Sequence, residues 1–205
     1  MNFLNDAADV IYIGFLWLLF SVPIITIGPA TCGAYYAMAK VVRHKRDTVF
    51  HSFIEAFKNN LKQGMVYSII YVLLLAFMIG FVMNYEYLIP QMSGSYLTML
   101  VMLGFTVSMT LVYIFPVMSR YKCGMIELFK YSVVMSVSNP IKTLALILLV
   151  VFFVILSFMI PFLLAVLPGP SFLISTYLLE GTLKKYIKIE NDNFKDADDI
   201  PWYLE

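Results

Sequence analysis

Few residues in this chain could do chemistry, and most of them lie outside apolar sequence. Glu180 is the exception, ten residues into the last apolar stretch. An ionisable group at such depth in a membrane helix is costly and commonly functional. Lys184 follows four residues later, the favourable Glu-to-Lys order on a helix. Two readings stand: an ion pair at the membrane interface, or a carboxylate that contacts a solute together with Tyr36. His44, Asp47 and His51 have the spacing of one helical face and the donor types of a metal site. His44, however, sits in the basic run Arg43–Lys45–Arg46, which repels cations, so the expected role of this face is contact with water or lipid headgroups. Cys32 and Cys123 have no C-x-x-C spacing. Cys32 lies among small residues in an apolar helix, where a packed thiol is expected rather than a nucleophile.

Catalytic signatures are missing. The chain has no H-E-x-x-H, G-x-S-x-G or G-x-x-x-x-G-K-[ST]. Every Asp lies outside the apolar runs, which leaves no intramembrane pair for an aspartyl mechanism. Neither an enzyme nor a cofactor or metal is expected. With so few charges in apolar sequence, a proton- or sodium-coupled pump has little to work with.

The elements that must position these residues follow from composition. Of 205 residues, 61% are A, V, I, L, M, F, W, Y or C and 13% are charged; the mean hydropathy is +0.83. Soluble domains average about 45–50% apolar with glycine included and about 25% charged. A chain of this size cannot bury the surplus, because its folded surface is large relative to its volume. Disorder is excluded by the aromatic and branched apolar content. An all-α integral membrane protein is the class that remains. Residues 1–9 carry no Lys or Arg and precede no A-x-A cleavage site, so a removable signal peptide is not expected.

Residues 65–83, 96–118 and 143–161 are free of charge and long enough to cross a bilayer. Two further stretches are broken, 10–42 at Gly28-Pro29 and 162–183 at Pro168-Gly169-Pro170. All fourteen basic residues fall in segments 40–62, 119–142 and beyond 183. Lys/Arg-rich loops face the cytoplasm, so the alternation predicts a cytoplasmic C-terminus. If Gly28-Pro29 forms an outer turn, residues 10–27 and 30–42 make a hairpin and there are six helices. If the chain only kinks there, five cross.

An internal echo favours six. Gly28-Pro29-Ala30 and Gly169-Pro170-Ser171 each open a helix that reaches Tyr eight residues after the Gly, at Tyr36 and Tyr177. Pro23 and Pro161 precede the two motifs. Ile54-Glu55-Ala56-Phe57-Lys58 is matched by Ile126-Glu127-Leu128-Phe129-Lys130. The pattern predicts three outward hairpins joined by two similar cytoplasmic linkers. In residues 48–62, Phe50, Phe53, Phe57 and Leu61 recur at helical spacing, with Glu55 and Lys58 opposite. This predicts an amphipathic helix lying in the interface, and residues 124–138 with Glu127 and Lys130 form its counterpart. Either helix could instead dock a cytosolic partner. The small residues Ala30, Gly33, Ala34 and Ala37 share a face suited to close helix packing, within the chain or between copies of it. Residues 1–189 thus form a helical membrane domain. Residues 190–205 form an acidic cytoplasmic tail ending in apolar residues that include Trp202, which either folds back on the basic linkers or docks a partner.

The run from Leu16 through Trp17, Pro23, Gly28, Pro29 and Ala30 to Thr31 (LWLLFSVPIITIGPAT) resembles the opening signature of the YesL-like family of small bacterial integral membrane proteins. Tyr35-Tyr36 and the later Phe50, Phe53, Phe57, Lys58 and Asn60 fit its continuation. The resemblance covers the first third of the chain. It implies a membrane domain of unknown function whose genes often lie beside carbohydrate-uptake transporters, and it implies no catalytic residue. The expected role is a non-catalytic accessory to carbohydrate uptake, with membrane lipids and a carbohydrate ABC transporter or another membrane protein as partners, and nucleic acid excluded. The alternative is a facilitator whose own path is lined by aromatics such as Tyr35, Tyr36, Tyr85 and Tyr87.

Overall fold

The computed structural model describes residues 3–83, 95–121, 123–160 and 166–190. Among these are eight α-helices and no strand. Helix α1 (Phe3–Phe20) ends at a short 3-10 turn (Ile24–Thr26). Helix α2 (Ile27–Ala37) runs on as a π-helix (Met38–Arg43), and α3 (Val49–Asn59) follows. Then come α4 (Leu61–Met83), α5 (Ser95–Met118), α6 (Met125–Ser138), α7 (Pro140–Met159) and α8 (Pro168–Glu190).

Between α1 and α2 the chain reverses rather than kinks, and it does so at 21–26, ahead of Gly28-Pro29. Pro23 caps the 3-10 turn in an extended conformation, while Pro29 falls in the first turn of α2, where its missing N–H is harmless. Trp17 Nε1 donates to Thr31 Oγ1 at 3.0 Å across the hairpin, and Asp6 pairs with Lys45 at its open end. In α4 and α5, Met78 lies against Gly104, and Gln63 at the start of α4 donates to the Cys123 carbonyl just past α5. Lys142, early in α7, donates to Thr182, late in α8. These contacts set three antiparallel pairs.

The pairs close on one another. Helix α2 packs on α4, α5 on α7 and α8 on α1, so the second helix of each pair lies on the first helix of the next. Two glycines permit the closest approaches. A Cβ at Gly28 would collide with Ser68, the Gly64 carbonyl and Phe115, and one at Gly169 would collide with the Val10 backbone. Gly28 N–H also donates to Ser68 Oγ at 2.8 Å.

Helix α3 differs from its sequence-based expectation. It ends at Asn59 and buries Val49, Ser52, Phe53, Ala56 and Phe57, while Phe50 is 53% exposed and Leu61 belongs to α4. The cause is Gly33: without a side chain there, the Phe53 backbone and ring settle directly on α2. Phe20 then packs on Phe53 and Phe57, with ring centroids 5.3 and 5.0 Å away. The apolar face is therefore spent largely on α1 and α2. Ala30, Ala34 and Ala37 are buried in the same cluster. In α6, the partner of Glu127 is the Gly124 N–H at 3.1 Å, a first-turn cap.

Among the described residues two helical stretches are long and apolar enough to cross a membrane, Leu61–Gly80 and Pro140–Ser157, and Thr106–Met118 forms a shorter apolar stretch. A core helix of a soluble protein can match that length and composition, but it hides its side chains. Here Leu73, Leu75, Phe77, Leu148, Phe152 and Ile155 face outward. Exposed apolar surface on that scale suggests a membrane protein. Thr106 and Thr110 satisfy their hydroxyls on the carbonyls four residues back, at 2.9 Å each. Pro161, Tyr85, Tyr87, Trp202 and the tail beyond Glu190 lie outside the described residues.

Candidate functional site

The charged cluster of the structure forms where the second helices of the three pairs converge. Proline at 116, inside α5, removes one backbone donor just before the helix ends at Met118. The chain then turns and sends Arg120 inward. Arg120 Nη2 donates to both carboxylate oxygens of Glu180, at 3.0 and 3.2 Å. The two side chains are 1% and 5% exposed. A buried carboxylate needs such a partner, because an unpaired charge in apolar surroundings is strongly disfavoured. Glu180 thus takes a partner from sixty residues away; the expected i+4 partner, Lys184, has its side chain outside the described part of the structure. Hydrophobic periodicity could not have shown this. The one sequence signal was Arg120 itself, standing directly after a long uncharged run.

The π-helix supplies the second cation. A π turn holds an extra residue per turn and so changes the angular register of the residues beyond it. Lys40 faces α3, while Arg43 reaches α8. Arg43 Nη1 donates to the Thr176 carbonyl at 2.8 Å and stands 3.6 Å from a Glu180 oxygen. Its guanidinium lies 4.6 Å over the Tyr177 ring. Arg120 lies 5.9 Å over Tyr36, and Lys40 5.4 Å over the same ring. Such contacts favour a cation beyond simple burial. Tyr35 is buried alongside, within range of the charges of Glu180, Arg120 and Arg43. Cys32 is fully buried.

A second, outer network surrounds Asp47. Lys40 Nζ lies 2.9 Å from Asp47 and 3.3 Å from Glu55. His51 Nδ1 is 2.9 Å from Asp47, and the Thr48 N–H donates to it at 2.7 Å. The hydrogen bond from His51 first, then those from Lys40 and Thr48, hold the Asp47 carboxyl well below the usual carboxylate range. Asp47 and Lys45 both have positive φ, 70° and 54°, and Asp tolerates this better than most residues. The ligand atoms of Asp47, His51 and Glu55 all lie within 4.8 Å of one another. The Lys40 ammonium already bridges the two carboxylates, so the geometry is that of an ion-pair network. His44 is not part of that group.

The remaining candidates from sequence scatter. Glu127 caps the first turn of α6, and Phe57 packs on Phe20 and Phe53. Trp17, Gly28, Pro29, Ala30 and Gly33 build the α1–α2 hairpin. A groove of about 510 Å³ between α4 and α5 is lined by Tyr71, Leu75, Met78, Ile79, Met83 and Val107 among others, and is almost wholly apolar.

The all-helical arrangement of the described residues, with its outward apolar helices, suggests a membrane protein that carries a compensated ionic cluster. Residues 10–84 match the model of a family described as "Protein of unknown function, DUF624". That span runs from within α1 to the end of α4, and the match is consistent with the YesL-like resemblance of residues 16–31. No curated protein and no solved structure matches the chain.

Proposed function

We propose that this is a six-crossing protein of the bacterial cytoplasmic membrane, with three hairpins and a cytoplasmic C-terminus. It serves carbohydrate uptake as a non-catalytic accessory that works through protein partners. The basic residues and their periodic spacing support the topology. The YesL-like resemblance supports the setting. The role itself rests on one observation: the buried carboxylate, Glu180, is held at both oxygens by Arg120. A solute-binding carboxylate would need a free oxygen and a polar approach. The groove between α4 and α5 is apolar and is not lined by Glu180.

Affinity purification of the tagged chain from native membranes tests this reading. A carbohydrate transporter subunit should be recovered in stoichiometric amounts. The facilitator reading uses Glu180 and Tyr36 and predicts instead that the chain alone admits sugar into proteoliposomes. Sugar entry that Glu180→Gln abolishes would overturn the accessory role.

A further inference from the structure

The outer rim of the ionic cluster has properties that its core does not need. Arg43 is 22% exposed at the side chain, and its contacts engage only Nη1 and one ring face. Arg120 holds the Glu180 carboxylate at both oxygens, whereas Arg43 approaches one oxygen at 3.6 Å, beyond hydrogen-bond length. Arg43 is thus fixed in orientation by Thr176 and Tyr177, and among the described residues no hydrogen bond or ion pair engages Nε or Nη2. A guanidinium held this way presents parallel N–H groups suited to a phosphate. Tyr177, the ring beneath it, is 64% exposed. Ile174 and Gly181 share that face of α8 and are exposed as well. A Cβ built on Gly181 meets nothing within 4 Å, so the surface beside the guanidinium is open. Apolar surface at Ile174 and an amphipathic ring at Tyr177 lie along α8, and the Arg43 guanidinium from the first hairpin is held over that ring; together they match the acyl chains, interface and headgroup of a lipid.

We propose that Arg43 and Tyr177 seat the phosphate of an anionic phospholipid, with an acyl chain lying along Ile174 and the headgroup over Gly181. The site rests on the membrane reading and is independent of any role in uptake. The lipid ties the first hairpin, which carries Arg43, to the third, which carries Tyr177.

The test is lipid retention. The purified full chain is equilibrated in detergent with mixed micelles of phosphatidylglycerol and phosphatidylcholine, repurified by gel filtration, and its bound lipids are quantified. Wild type should retain phosphatidylglycerol in preference to phosphatidylcholine. Arg43→Gln should lower that retention about fivefold, the effect of one cation at a charged surface. Gly181→Phe leaves every Arg43 contact in place and should cause a similar loss by filling the headgroup space. Retention unchanged in Gly181→Phe, or equal retention of the two lipids by wild type, overturns the proposal. Displacement of phosphatidylglycerol by millimolar inorganic phosphate would mark a free-phosphate site and also overturn it. Wild-type chain recovered in the soluble fraction would sink the membrane reading itself; membrane-bound chain lacking lipid preference sinks only this site.

Discussion

Helices α2 and α8 open with the same Gly-Pro dipeptide and share two contacts. In each, the glycine marks a close helix crossing, on α4 and α1 respectively. In each, the tyrosine eight residues later lies beneath an arginine from a neighbouring hairpin, Arg120 over Tyr36 and Arg43 over Tyr177. Their burial differs sharply. Helix α2 is sheathed by α1, α3, α4 and α5, whereas α8 leaves Ile174 and Tyr177 outside. The cause lies in the next element of the chain. After α2 the chain returns as α3 and covers it; no described helix returns over α8. The repeated residues therefore encode a crossing and a cation–aromatic contact, while burial is decided by the neighbouring helix.

The two arginines should break apart most clearly. Arg120→Met strands the Glu180 carboxylate in the interior, and removing one partner of a buried pair costs about 3–5 kcal/mol. Thermal unfolding in detergent should fall steeply, and adding Glu180→Leu should restore most of the loss. Arg43→Met removes one backbone hydrogen bond and one partly exposed stacking contact, about 1 kcal/mol. Equal losses at the two positions would mean that the inner and outer members of the cluster carry the same load.

The glycines sharpen the same comparison at a smaller scale. Gly28→Ala forces a methyl against Ser68, the Gly64 carbonyl and Phe115, on two different helices. Overpacking of this sort costs about 1–3 kcal/mol, and this site should lie at the upper end. Gly169→Ala drives a methyl into the Val10 carbonyl, but its three nearest atoms all belong to one helix, α1, which can shift as a unit, so the loss should be somewhat smaller. Gly80 and Gly181 have open space at the Cβ position, so alanine there should be neutral or stabilising by up to about 1 kcal/mol. A melting series of the four variants that does not follow this order would refute the assigned crossings.

How much of this could be read from sequence depends on the range of the interaction. The helical class, the Gly-Pro helix starts and the tyrosine echo are local or compositional, so they were legible. The turn at 21–26 was displaced from Gly28-Pro29 because proline starts a helix as readily as it ends one. The orientation of α3 failed for a tertiary reason: Phe50 and Phe53 are equally apolar, and only Gly33 on α2 decides which one is buried. Glu180 stood out as a lone carboxylate in apolar sequence, yet helical spacing could not point to Arg120, which comes from another hairpin. The π-helix that aims Arg43 has no signature in this stretch of sequence.

The smallest effect concerns the α2–α3 junction, which the other Gly-Pro helix lacks among the described residues. Asp47 ties that junction through His51, Lys40, Thr48 and Ser52. Its folded carboxyl titrates below the ordinary range, held there first by the His51 hydrogen bond. A depressed carboxyl stabilises the fold at every pH above its unfolded value of about 3.9, and the stabilisation fades as pH falls from there through the folded value. Asp47→Asn should therefore speed proteolytic cleavage at residues 44–48 about twofold at neutral pH, as expected for an exposed ionic network. The difference from wild type should persist down to about pH 4 and close only in stronger acid. Convergence of the two proteins near pH 6 would show that Asp47 is not the residue that fixes the junction, and that α3 is held over α2 by Phe53 and Gly33 alone.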